Sequence, residues 1–287
     1  MTTVPPEKIV IFDYSGTLSP GAPLFGQPEN LIRELRETGL AALGVSTPEV
    51  FWNDLVNPTW NEGSTTQKGY RKVLAERIAD AGLAPGASPA EIDAAVSRFV
   101  ASYLDHSRID PHWRALLERL SVSPDTAVLI ATDHYAEATE AIIRFLAAWN
   151  IPTVQSTGTR HLSHQHETAA RSPCIVANSA DLGFWKEDGR FWKTLKERFF
   201  AGRIRRAVLI DDFGFNESMD DGYGARAKID PRREKTRTVV GEVFQVEPEI
   251  ISFFLETAQR KREDARGRLI AKTAALCEKI LLEVPQK

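Results

Sequence analysis

Residues 9–19 read IVIFDYSGTLS. Four apolar residues run into Asp13, and a glycine and a threonine follow within four positions. A short, near-continuous apolar run predicts a strand covered on both faces. Gly16 and the Ser19-Pro20-Gly21 cluster end it. A carboxylate at the end of a buried strand is costly unless something compensates it. Two further runs repeat the pattern. AVLIAT (127–132) ends on Thr132, and AVLIDD (207–212) ends on the pair Asp211-Asp212. Three apolar strands would thus deliver polar groups to one edge of a sheet.

Helical patterns separate these strands. Leu31, Ile32 and Leu35 mark a helix over 28–39 that stops at Gly39. Pro48 opens another, and Tyr70, Val73, Leu74 and Ile78 recur at helical spacing. Ser88-Pro89-Ala90-Glu91 has the form of a capping box, with a helix running to about Asp105. Residues 20–108 contain no convincing strand and read as a mainly helical insertion. Helices over 111–120, 135–149 and 189–201 alternate with strands at PTVQST (152–157), CIVAN (174–178) and AVLIDD. TRTVVGEVF (236–244) reads as a further strand, and 248–283 as one or two helices broken near Gly267. Alternation of this kind predicts an α/β fold with a mainly parallel sheet, whose ligands bind at the carboxyl ends of the strands.

The chain has 287 residues, 39 acids and 36 bases, for a net charge of -3. That balance calls for neither nucleic acid nor an anionic membrane as partner. The two cysteines, Cys174 and Cys277, form no CxxC pattern, so neither a disulfide framework nor a thiolate zinc site is expected. No apolar run approaches ~18 residues, and MTTVPPEK carries no signal-peptide pattern. A cytoplasmic protein is the expectation.

With these elements in place, the chain resembles the haloacid dehalogenase-like (HAD) hydrolase superfamily. Four motifs match in order: IVIFDYSGTL, AVLIAT ending on Thr132, a lysine best matched by Lys186 in NSADLGFWKEDGRFW, and VLIDDFGFNE. Lys193 competes with Lys186 for the third. The resemblance implies a Rossmann-like core (1–19 and 109–287) with a helical cap (20–108). It implies Asp13 as nucleophile toward phosphorus. It also implies Mg²⁺ held by Asp13, the Ser15 carbonyl, Asp212 and, directly or through water, Asp211. Thr132 would donate to the phosphoryl group, and Lys186 would neutralise Asp13 and the phosphate. Backbone N–H groups of Gly16 and Thr17 would join that cradle. Asp133 and His134, directly after Thr132, are candidates for substrate contact. Asn216 and Glu217 would support the metal shell or cap a helix.

Ser15 departs from the family's phosphatases, which carry a second aspartate there as general acid and base. A hydroxyl has no accessible pKa near neutrality, and general acid–base help is worth roughly 10²–10⁴ in rate. Four readings follow. The enzyme takes substrates with good leaving groups, or another group such as His134 or a cap residue supplies the proton. Alternatively it is a phosphonatase- or dehalogenase-like hydrolase, or a non-catalytic protein that binds a phosphorylated ligand. A phosphonatase needs a cap lysine, and only Lys68 and Lys72 offer one. The acid pair favours a Mg²⁺-dependent hydrolase of a small phosphorylated metabolite.

In the insertion, Trp60, Tyr70, Lys68 and Arg71 could hold an organic phosphate; the alternative is that Trp52, Trp60 and Tyr70 pack the insertion's own core. His161, His164 and His166 share one loop, read as solvated. The apolar stripe of LIAKTAALCEKILLEV (269–284) could dock on the core or pair with another subunit as a homodimer.

Overall fold

The computed structural model describes residues 5–158, 172–218, 221–256 and 262–283. Its centre is one six-stranded sheet of order β3-β4-β2-β1-β5-β6. The strands are β1 (Lys8–Phe12), β2 (Thr126–Thr132), β3 (Thr153–Gln155), β4 (Cys174–Asn178), β5 (Arg206–Asp211) and β6 (Glu249–Ser252). Every pairing is parallel. β1 lies in the middle and shows why its run is apolar throughout. Val10 and Phe12 pack into one layer with Trp113, Ile142 and Ile270, whereas Ile9 and Ile11 pack into the other with Phe191, Trp192 and Phe244.

The segment between β1 and β2 is helical: α1 (Gly21–Phe25), α2 (Pro28–Thr38), α3 (Pro48–Val50), α4 (Asn57–Thr65), α5 (Tyr70–Asp80) and α6 (Pro89–His106). A wider π-type turn over Phe51–Val56 joins α3 to α4. The capping box forms at α6: the Glu91 N–H donates to Ser88 Oγ, and the Ser88 N–H donates to Glu91 Oε2 at 2.7 Å. These helices bury their own cluster of Leu31, Leu35, Leu55, Leu74, Val96 and Phe99. The remaining helices are α7 (Arg114–Ser121), α8 (Glu137–Ala147), α9 (Ser179–Leu182), α10 (Gly189–Phe199), α11 (Arg226–Phe244) and α12 (Glu263–Leu282).

Two expectations fail here. TRTVVGEVF is the last half of α11, not a strand. Its β-branched residues favour a strand, but Ile229, Arg232, Thr236, Val240 and Phe244 are buried at intervals of three and four, the period of a helix seated on the sheet. The sixth strand is Glu249–Ser252, inside the segment expected to be helical. It forms the sheet's edge. α12 then runs unbroken through Gly267. Its stripe of Ile270, Cys277 and Leu281 docks on the core. Cys174 and Cys277 are both free and buried. No helix among the described residues is long and apolar enough to cross a membrane.

Candidate active site

The register of the sheet assembles the site. Phe12 lies between Ile130 of β2 and Ile210 of β5. The Asp13 N–H extends that ladder, donating to Ile210 O at 2.9 Å. The first residue past β1 is thereby held beside the ends of β2 and β5, and Asp13, Thr132, Asp211 and Asp212 meet at the carboxyl edge of the sheet. All four are at most 5% exposed.

Lys186 enters from the loop between α9 and α10. Its Nζ donates to Asp13 Oδ1 at 2.5 Å and to Asp211 Oδ2 at 2.8 Å. The loop is anchored by the Lys186 N–H on Asp133 Oδ1 at 2.9 Å and by Trp192 Nε1 on Lys186 O at 2.6 Å. Lys193 instead lies on the exposed face of α10, 3.9 Å from Glu197. Geometry thus selects Lys186.

Carboxylate oxygens of Asp13, Asp211 and Asp212 lie within 4.8 Å of one another. Three buried acids face one ammonium group. Burial pushes the Asp13 carboxyl up to about 7, against the pull of Lys186. Asp212 is raised well above the usual range by burial, then by the charges of Asp13 and Glu217. Burial would lower Lys186, but Asp13 and Asp211 together outweigh it and hold its ammonium well above the ordinary lysine value. This surplus of buried negative charge, carried entirely on hard oxygen ligands, is what a divalent cation such as Mg²⁺ would offset. The donor set fits that ion.

Neighbouring bonds fix the acids. Asp211 Oδ1 accepts from the Phe213 N–H at 2.6 Å, and Asp212 Oδ2 from the Asn216 N–H at 2.7 Å. Asn216 Nδ2 donates to Gly16 O and to Phe253 O, tying the β1 loop to the β5 loop. Gly16 has φ +80°, and a Cβ there would stand 2.6 Å from Asp212 Oδ2. The residue must be glycine for the acid to sit where it does. The Gly16 N–H, expected at a phosphate, donates to Ser19 O instead. Thr17 serves through its side chain, whose Oγ1 accepts from the Asp212 N–H at 3.1 Å. Thr132 Oγ1 is buried with no hydrogen-bond partner among the described residues. Such a donor costs about 1–3 kcal/mol unless a ligand takes it.

His134 is deeply buried, at 4% exposure. Its Nδ1 accepts from the Tyr135 N–H at 2.8 Å, and Nε2 stands 2.8 Å from the Tyr103 hydroxyl. Burial pushes it down to about 4, so the ring is neutral near pH 7. Both nitrogens are already engaged. The acid near Ser15 is Glu217: Ser15 Oγ donates to Glu217 Oε1 at 2.6 Å. Glu217 follows Asp212 in the β5 loop, just beyond the stretch Phe213-Gly214-Phe215-Asn216. Sequence reading gave it only a supporting role.

A cavity of about 70 Å³ opens in front of these groups. Asp13, Ser15, Thr132, Asp133, His134 and Glu217 line its floor, and aromatic residues of the helical segment line its roof. Lys68 and Arg71 do not reach it. Lys68 pairs with Glu62 and Glu76, and Arg71 pairs with Asp93 at 2.7 Å, all on the outer surface. The loop of His161, His164 and His166 lies outside the described residues.

No protein-family model matches the chain, and no curated protein matches it. Among solved structures it is similar to a 2-haloacid dehalogenase from Pseudomonas syringae pv. Tomato, with 18% identity, over 76% of this chain and 83% of that one, at a TM-score of 0.44. A putative HAD-hydrolase from Bacillus subtilis, bound to magnesium, aligns at 13% identity over 72% and 78% of the two chains, with a TM-score of 0.41. A phosphonoacetaldehyde hydrolase-like protein from Oleispira antarctica aligns at 12% identity over 98% and 96%, with a TM-score of 0.38. All three carry names from the superfamily that the motifs resemble. At this level of likeness they assign this chain neither activity nor substrate.

Proposed function

We propose that this chain is a Mg²⁺-dependent hydrolase of the HAD type, acting on a small phosphate ester through Asp13. The observation that carries the reading is the clamp of Lys186 on Asp13 and Asp211, beside Asp212, with Asp13 itself at the floor of the cavity. The helices between β1 and β2 act as the cap over that cavity.

Asp13, Asp212 and the Ser15 carbonyl would hold Mg²⁺, with Asp211 beside them, and the ion would supply Lewis-acid charge that keeps Asp13 ionised next to an incoming phosphate. Lys186 holds Asp13 in place and offsets its charge. An Asp13 oxygen attacks phosphorus, the bond from phosphorus to the leaving oxygen breaks, and an aspartyl phosphate forms. Thr132 Oγ1 donates to a phosphoryl oxygen. The leaving oxygen takes its proton from Ser15 Oγ, which is replenished by Glu217. The cycle starts with Glu217 protonated, its O–H donating to Ser15 Oγ and the hydroxyl proton turned to the cavity; after the first half Glu217 is a carboxylate and the hydroxyl donates to it. In the second half, water attacks the phosphorus of the aspartyl phosphate and its proton returns by the same route. Phosphate leaves, and Asp13 is regenerated.

The Schiff-base route of a phosphonatase has no support in the cavity, because no lysine lines it among the described residues. Steady-state phosphate release from acetyl phosphate and an aryl phosphate, with Mg²⁺ or EDTA, tests the reading. Turnover that requires Mg²⁺ and is lost in Asp13→Asn supports it. Equal turnover in EDTA, or in Asp13→Asn, would sink it.

A further inference from the structure

Hydrogen bonds tie α4 and α5 to the core segments that follow β2, β4 and β5. Glu137, after β2, accepts the N–H groups of Tyr70 and Arg71 at the start of α5, at 2.7 and 3.1 Å. The Gly222 N–H, after β5, donates to Asn57 Oδ1 at the start of α4 at 2.9 Å. After β4, Trp185 Nε1 donates to Ser64 Oγ near the end of α4 at 2.8 Å. Trp185 is the residue directly before Lys186. That bond therefore joins the helical segment to the loop that carries the lysine of the acid cluster.

This end of α4 is fitted to the core. A Cβ at Gly63 would run into the Tyr135 ring, so the helix lies directly on that side chain. Ser64 is fully buried, and its hydroxyl spends its proton on Trp60 O at 2.6 Å, which leaves a lone pair for the indole. Trp185, by contrast, is 36% exposed. Water could serve its N–H, yet the donor is turned to α4.

The consequence falls on Lys186. Its side chain is long, and ordering it costs rotamer entropy. Its backbone is held to the core through its N–H on Asp133 Oδ1 and through its carbonyl, which accepts from Trp192 Nε1. The peptide that precedes it is held to α4 through Trp185. We propose that Ser64 and Trp185 are positioning residues: through their bond the seated helix α4 sets the loop in the place from which Lys186 reaches Asp13 and Asp211. With α4 lifted, the loop loses this tie and the ammonium loses its fixed place. Neither side chain lines the cavity. The inference rests on the role given above to Lys186 in phosphate-ester hydrolysis.

The test is a double-mutant cycle with acetyl phosphate and Mg²⁺: native protein, Ser64→Ala, Trp185→Phe and the double variant, with circular dichroism confirming folding. Trp185→Phe keeps an aromatic ring and removes the N–H. Each single variant should lower kcat roughly three- to tenfold, the worth of one hydrogen bond, with KM changed less than about twofold. The double variant should lose no more than the worse single one, because either change breaks the same bond. Trp185→Phe, at an exposed position, carries the kcat-against-KM test if the variants at Ser64 do not fold. Unchanged kcat, losses that multiply in the double variant, or a change confined to KM would overturn the inference, while turnover by the native protein keeps the phosphatase reading. If the native protein hydrolyses neither acetyl phosphate nor an aryl phosphate, that reading fails and amide hydrogen exchange decides the positioning. Exchange of residues 183–188 at least tenfold faster in Trp185→Phe than in native protein, with 126–132 unchanged, upholds the tie on the lysine loop, and equal exchange overturns it.

Discussion

Ser15 Oγ donates a hydrogen bond to Glu217 Oε1 at 2.6 Å, across 202 positions of the chain. Ser15 therefore has a carboxylate directly behind it. On our reading Glu217 does the proton work through Ser15. Glu217→Gln should lower kcat roughly 10²–10⁴-fold for an alkyl phosphate. The loss should be much smaller for acetyl phosphate, whose leaving group needs little protonation. An equal loss on both would assign Glu217 to structure rather than to proton transfer.

Lys186 is the sole ammonium bonded to the acid cluster among the described residues. Lys186→Met leaves Asp13 and Asp211 buried without it. Removing one partner of such a pair costs about 3–5 kcal/mol, so thermal unfolding in EDTA should shift down by many degrees and phosphate release should disappear. Lys193→Met, on the exposed face of α10, should change neither. Comparable losses in the two variants would contradict the geometry.

Much of this was legible beforehand, because buried central strands announce themselves. β1, β2 and β5 are apolar on both faces, and their register places Asp13, Thr132, Asp211 and Asp212 together without help from elsewhere. The edge was harder. β6 is four residues, EIIS, with only Ile251 buried, and α11 carries the β-branched run that a strand would. Trp60 and Tyr70 were visible as aromatic residues of the insertion, yet their partners Tyr135 and Tyr223 lie on other loops, and no local pattern links them. Glu217 is visible in the sequence beside the acid pair, but its bond to Ser15, 202 positions away, has no local pattern either. Lys68 and Arg71 drew attention as bases, but they are satisfied by acids on the surface.

Gly16 is required by Asp212, whose Oδ2 would lie 2.6 Å from an added Cβ, and by its own φ of +80°. Gly16→Ala should displace the acid and cost about 1–2 kcal/mol for the left-handed backbone alone. The check is the Mg²⁺ concentration for half-maximal activity, which should rise together with the loss of stability. An unchanged Mg²⁺ requirement would show that Asp212 does not serve the ion.

His134 is buried and neutral, its pKa pushed down from 6.5 to about 4 by burial. The unfolded chain therefore binds a proton at this residue at a higher pH than the folded one does. Its contribution to stability is complete above about pH 6.5, falls as pH drops toward 4, and is constant below. The loss is about 3 kcal/mol at most. His134→Gln should flatten the stability curve of the protein across that window, as read from urea unfolding at several pH values. An unaltered slope would mean that the ring titrates alike in the folded and unfolded states.

The central claim is that Asp13 carries the phosphoryl group. The most direct measurement is acid quench of a single turnover with acetyl phosphate and Mg²⁺, followed by mass spectrometry of the peptide that holds residues 9–19. The account predicts a hydroxylamine-labile phosphoryl group on Asp13, absent from Asp13→Asn. Released phosphate with that peptide unmodified throughout the turnover, or a phosphoryl group on another residue, would contradict it.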